Sequence, residues 1–245
     1  MVYPGHKIQN KEKLKRVLKP VLVIVVVLAA LCAAFFMYVG DYYRADETAQ
    51  GVLDTDSSIE TIGQYTILSP SNPSDTALIF YPGAKVEASA YLPILEKIKQ
   101  NGVTCVLVTM PYNMAIFDKD AADGVYELLP DVKNWYIGGH SMGGAMASSY
   151  ASDNQGKVSG LILLGAYVYG DYPPDKALTI YGSLNTGVAK KIDHTDNVVV
   201  IDGGNHAQFG NYGKQKGDAD ALISSEQQQG IAVEAIKDFL DRNEQ

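Results

Sequence analysis

The stretch that decides the fold is "NWYIGGHSMGGAMASSY", Asn134 to Tyr150. It opens with an apolar run of strand character, bends through a cluster of small residues, and continues into a run of small residues that reads as a helix from Met142 to Ser152. Gly138, Gly139, Gly143 and Gly144 let a strand turn sharply into a helix packed close to a sheet. Tight packing alone accounts for the glycines. It does not account for the serine at the apex of the bend.

Gly139-His140-Ser141-Met142-Gly143 fits G-x-S-x-G, and its strand-before, helix-after context is the one a nucleophile elbow requires. Two other glycine motifs fail here. A dinucleotide fingerprint needs glycine at His140 or Ser141, and a phosphate-binding P-loop needs Lys-Ser/Thr where Ala145-Met146 stands. Ser141 is therefore the candidate nucleophile. Such a serine needs a base. His6 lies in the N-terminal tail, His140 adjoins the serine, and His194 precedes the last strand. His206 follows that strand in "VVVIDGGNHAQFG" and is the candidate base. Sites in open α/β proteins gather at the C-terminal ends of parallel strands, where both Ser141 and His206 are expected.

Around this stretch, strands alternate with helices. "TIGQYTILSP", "TALIFYPG", "GVTCVLVTM", "NWYIGG", "GLILLGAY", "ALTIYGS" and "NVVVIDGG" read as strands. Ala88 to Gln100, Asp118 to Leu129, Met142 to Ser152 and "GIAVEAIKDFLDRN" read as helices. Several strands are apolar throughout. That pattern predicts a mainly parallel sheet covered by helices on both faces, an α/β fold. The polar segment from Ala207 to Gln229 is long enough to be functional.

The N-terminal part is different. "VLVIVVVLAALCAAFFMYVG", Val21 to Gly40, holds no charge and as a helix would be about 30 Å long, enough to cross a hydrocarbon core. Residues 1–20 carry six Lys/Arg and one Glu, net +5, against −8 for the chain, which leaves −13 for the rest. This reads as an uncleaved membrane anchor with a cytoplasmic tail and the domain outside the cell membrane, the alternative being a cleaved signal. The expected organisation is a basic tail at 1–20, a transmembrane helix at 21–40, a stalk at 41–60 and the α/β domain at 61–245. An acidic domain argues against nucleic acid as a partner. Cys32 and Cys105 are too differently placed to pair, so no disulfide is expected, which fits a bacterial surface protein.

From about Thr61 onward the chain resembles the α/β-hydrolase superfamily. It is most similar to the compact, lidless, dienelactone-hydrolase-like branch and to membrane-anchored bacterial members, through "YPGAKV", "GGHSMGGAMA" and "GGNHAQFGNYG". The resemblance implies Ser141 as nucleophile and His206 as base. It also implies an oxyanion hole made by the backbone N–H groups of Ala84 and Met142. No metal or organic cofactor is implied. The departure lies in the acid. The family places an aspartate after the strand that here reads "LTIYGS", where this chain has Asn185. Asp171, after the preceding strand, is the alternative acid; Asp202 reads as a strand-end residue. The segment from Tyr167 to Lys176 is too short to hold a lid domain. The pocket is therefore expected to be open, with Tyr112, Met114, Phe117 and Phe209 as candidate walls. The expected activity is hydrolysis of an ester or related acyl bond in a small-molecule or cell-envelope substrate. The alternative is a binding or scaffolding protein on a catalytically weakened hydrolase fold.

Overall fold

The computed structural model describes residues 5–243, with side chains from Leu18 onward. The side chains of the basic cluster from Lys7 to Arg16 lie outside the described residues. The chain divides into two compact units, residues 1–41 and 42–245. Among the described residues the first unit holds one helix, α1 (Gly5–Gly40). Its segment Leu18–Gly40 has a mean hydropathy of 2.9 and is long and apolar enough to cross a membrane.

The second unit is built on an eight-stranded sheet. Its strands are β1 (Ile59–Ile62), β2 (Tyr65–Leu68), β3 (Thr76–Tyr81), β4 (Thr104–Val108), β5 (Asn134–His140), β6 (Gly160–Leu164), β7 (Ala177–Gly182) and β8 (Val198–Ile201). Their order is β1-β2-β4-β3-β5-β6-β7-β8. The β1–β2 and β2–β4 pairs are antiparallel, and every pair from β4 onward is parallel. The helices are α2 (Glu47–Thr55), α3 (Leu92–Lys99), α4 (Met142–Asp153), α5 (Thr186–Ala189) and α6 (Ser225–Asn243).

The apolar strands are explained by two cores, one on each face of the sheet. In β3, Leu78 and Phe80 join the core shared with α2, α3 and α6, while Ala77, Ile79 and Tyr81 join the core shared with α4. With successive side chains on opposite faces, a strand covered twice must be apolar at every position. Helix α6 docks through Ala232, Val233, Ile236, Phe239 and Leu240, spaced three and four apart as one helical face demands.

Three expectations are corrected. Most of the segment 41–60, read as a stalk, is built into the globular unit. Ala45 and Ala49 are buried in the core beside α3, and Tyr43 bridges to Val86. The helix expected over Asp118–Leu129 is only a 3₁₀ turn, Ala121–Gly124, among turns. Tyrosine hydroxyls take over backbone groups that a helix would pair internally. Tyr81 Oη accepts from Ala122 N–H and donates to Lys119 C=O, and Tyr65 Oη donates to Ala121 C=O. The expected strand "TIGQYTILSP" is two strands, β1 and β2, joined at Gly63-Gln64. Among the described residues both cysteines are free.

Candidate active site

The parallel strands all end on one edge, and the bend after β5 stands there. Ser141 has φ 53° and ψ −119°, a conformation that a side-chain-bearing residue adopts only when its surroundings enforce it. Two bonds do so. Its N–H donates to Leu164 C=O on β6 at 3.0 Å, and its C=O accepts Ala145 N–H at 3.0 Å. The glycines are required by close approach. A Cβ on Gly143 would sit 2.1 Å from Tyr81 O, and one on Gly139 would sit 2.6 Å from the same atom. The start of α4 can therefore lie directly against the end of β3, and Ser141 projects from the apex.

His206 lies in the turn after β8, on the same edge. Ser141 and His206 line one open pocket of about 240 Å³, together with Met142, Ala145, Gly165, Ala166, Tyr167 and Val188. Burial holds the His206 imidazole below its ordinary pKa, and the Asp218 carboxylate nearby opposes that shift.

Asn185, just beyond β7, meets the ring: its Nδ2 lies 2.7 Å from His206 Nδ1. Its Oδ1 accepts Val188 N–H at 3.4 Å and caps α5. In this arrangement the amide donates to Nδ1. The neutral ring then carries its proton on Nε2. Asp171 is not brought to the histidine. It is exposed, and its backbone C=O accepts from Gln155 Nε2 at 2.7 Å. Among the described residues no hydrogen bond joins Asp171 to His206. Asp202 is also exposed, beside Ser183.

The two expected oxyanion donors are uncommitted. Ala84 N–H and Met142 N–H make no hydrogen bond among the described residues. Met142 is the first residue of α4, where N–H groups have no intrahelical partner. Gly83 N–H, one residue earlier, is taken by Tyr91 Oη at 3.1 Å. The expected pocket walls are corrected. Tyr112, Met114, Phe117 and Phe209 do not line this pocket. Tyr112 and Phe117 are exposed and stack edge to face on each other, while Phe209 is fully buried beside His140.

Sequence reasoning missed the support behind these groups. His140 is buried; its Nδ1 lies 2.7 Å from Tyr91 Oη and its Nε2 lies 2.9 Å from His206 O. Tyr91 Oη donates to Nδ1, so Nε2 carries the proton and donates to the His206 carbonyl. Burial first, then the adjoining His206 ring, push His140 well below its ordinary pKa and keep it neutral. One polar chain thus joins the Gly83 turn, the elbow and the His206 turn. On the other side Gln228 clamps Asn205, accepting its N–H and donating to its C=O, each at 3.0 Å. The only sequence signal for this clamp was the polar run "QQQ" at the start of an otherwise amphipathic helix.

The model of the alpha/beta hydrolase family matches residues 77–230. A monoglyceride lipase from Saccharomyces cerevisiae, solved with a substrate analog, is similar at TM-score 0.53 and 11% identity, over 76% of this chain and 94% of that one. A dienelactone hydrolase from Anabaena variabilis is similar at TM-score 0.51 and 14% identity, over 75% and 95%. A serine hydrolase without a lid from Xanthomonas campestris is similar at TM-score 0.50 and 12% identity, over 76% and 95%. At such identities these likenesses concern the fold. No curated protein sequence matches the chain. With its family model spanning the sheet from β3 to the start of α6, the chain belongs to the α/β hydrolase family.

Proposed function

We propose that this protein is a serine hydrolase that cleaves an ester or related acyl bond through an acyl-enzyme. Membership of the α/β hydrolase family supports hydrolase activity. The observation that carries the finer reading is the strained Ser141 facing the same pocket as His206, with Asn185 at the far side of the imidazole.

In the proposed reaction Ser141 Oγ attacks the acyl carbon as His206 Nε2 takes its proton. The carbonyl oxygen becomes an oxyanion stabilised by Ala84 N–H and Met142 N–H. The imidazolium returns the proton to the leaving oxygen, and the alcohol departs. Water, deprotonated by His206, then attacks the acyl-enzyme and restores Ser141. For Nε2 to act as a base, Nδ1 must carry the ring proton. Rotation of the Asn185 amide provides this: Oδ1 turns to accept Nδ1–H and releases Val188 N–H. The bond given up is long, at 3.4 Å, so the rotation costs at most about 1 kcal/mol. A pocket of about 240 Å³ suits a small acyl group.

The amide also favours a second reading, a binding protein with little turnover, because the orientation seen leaves Nε2 protonated. p-Nitrophenyl acetate and butyrate separate the two. Hydrolysis lost in Ser141→Ala supports the hydrolase, and ligand binding without turnover supports the binding protein.

The proposed location is the cell membrane, with Leu18–Gly40 as a single-pass anchor and the hydrolase domain outside. The length and hydropathy of that helix and the Lys/Arg cluster before it support this reading. Protease added to intact spheroplasts is expected to degrade the domain. Digestion only after lysis would reverse the orientation, and a mature chain beginning near Ala34 would make the segment a cleaved signal.

A further inference from the structure

A general base that becomes an imidazolium needs a compensating charge, and Asn185 has none to give. One carboxylate is built into the histidine turn itself. Asp218 stands in the long segment between β8 and α6 and grips the backbone of the turn with both oxygens. Its Oδ1 accepts His206 N–H at 3.2 Å and its Oδ2 accepts Ala207 N–H at 2.8 Å. Oδ1 also accepts Ala219 N–H at 2.9 Å, and Asn205 Nδ2 donates to Ala219 C=O at 2.8 Å, so the carboxylate is itself held.

We propose that Asp218 is a positioning residue for His206 that supplies, through the backbone of the turn, the negative charge missing from the Asn185 position. This rests on the reading of His206 as the base. With the bond from His140 Nε2 to His206 C=O, it leaves the histidine backbone held at both its N–H and its C=O. The ring is then presented from a fixed backbone, with Nδ1 against Asn185. The groups facing His206 are few. From β5 comes His140, kept neutral; from the elbow, Ser141; from the end of β7, the uncharged Asn185; from the long loop, Asp218. Asp218 is the charge among them, and it acts to raise the affinity of His206 for a proton. During acyl transfer that same field stabilises the imidazolium formed as Ser141 loses its proton.

The test uses the full chain in detergent, with NMR titration of the His206 ring and steady-state hydrolysis of p-nitrophenyl acetate. In Asp218→Asn the His206 midpoint moves to lower pH and kcat falls about tenfold, with KM little changed. Asp218→Glu, which keeps the charge, retains most of the activity. Asn185→Asp supplies a second carboxylate at the ring, so Asp218→Asn costs less in that background. Asp220→Asn, which removes an exposed charge paired with Lys214, moves neither readout. An unchanged His206 midpoint in Asp218→Asn overturns the proposal. So does an equal loss with and without Asn185→Asp, which is the pattern of a merely structural clamp. Should the parent protein show no Ser141-dependent turnover, the proposed reaction fails, and the NMR midpoint alone still decides the role of Asp218.

Discussion

Asn185→Asp is expected to make the enzyme faster. The side chain is already in place, 2.7 Å from His206 Nδ1, and the change is nearly isosteric. A carboxylate accepts on both oxygens, so one can take Nδ1–H while the other keeps the Val188 N–H cap. Two terms then improve. The amide rotation needed before each proton transfer disappears, worth at most about 1 kcal/mol. The neutral bond to Nδ1 becomes charge-assisted in the transition state, worth about 1–3 kcal/mol more. Together these correspond to a gain in kcat of about ten- to a thousandfold. The change of acid to amide in a serine protease costs about 10⁴, and the gain here is smaller because the site is adapted to an amide. The assay is the pH–rate profile of p-nitrophenyl acetate hydrolysis in parent and variant. The added negative charge also shifts the acid limb of kcat/KM to higher pH, because it stabilises protonated His206. A fall in kcat, or a gain with no movement of that limb, would refute the reasoning. Asp171→Asn should leave the profile unchanged; a large loss there would move the acid to Asp171.

The fold makes three further predictions. His140 and His206 both bind protons less readily folded than unfolded, so stability is full above their ordinary pKa near 6.5 and is lost as pH falls through the lower folded values. Melting temperatures taken between pH 7.5 and 5 should decline, and a flat curve would contradict the buried neutral His140. Tyr91→Phe leaves Gly83 N–H and His140 Nδ1 without their shared partner, a loss of about 2–4 kcal/mol measurable by denaturant unfolding; an unchanged midpoint would break the polar chain. Gly143→Ala would bring a methyl group to 2.1 Å from Tyr81 O, a backbone clash that is expected to cost about 3 kcal/mol or more and to abolish esterase activity; near-native activity and melting would remove the need for that close approach.

The parts of this molecule legible in the sequence are those set by local pattern. Apolar runs such as "TALIFY" and "GLILL" announce strands covered on both faces, and the two cores on β3 show why they must be apolar throughout. The Ser141 bend was legible because only small residues fit against Tyr81 O. Asn185 was legible from its place after β7, and the structure brings it to His206. What stayed hidden depends on contacts distant in sequence. Nothing local marks Tyr91 as the partner of His140, 49 residues away. Nothing local marks Asp218 as the clamp on the His206 turn, although it stands in the long polar segment from Ala207 to Gln229. The Asp118–Leu129 helix failed for a related reason: Tyr65 and Tyr81, from distant strands, take its backbone groups. The segment 41–60 reads as a stalk because its buried face is mostly small alanines, Ala45 and Ala49, which carry little hydrophobic signal.

The proposed reaction depends on Ser141 being a nucleophile activated by His206. A fluorophosphonate probe tests it most directly, since the reagent forms a covalent bond only with an activated serine. The full chain in detergent should be labelled once, at Ser141 by peptide mass spectrometry. Labelling should vanish in Ser141→Ala and slow strongly in His206→Ala. A protein that stays unlabelled, or that is labelled equally well without Ser141, would contradict the account.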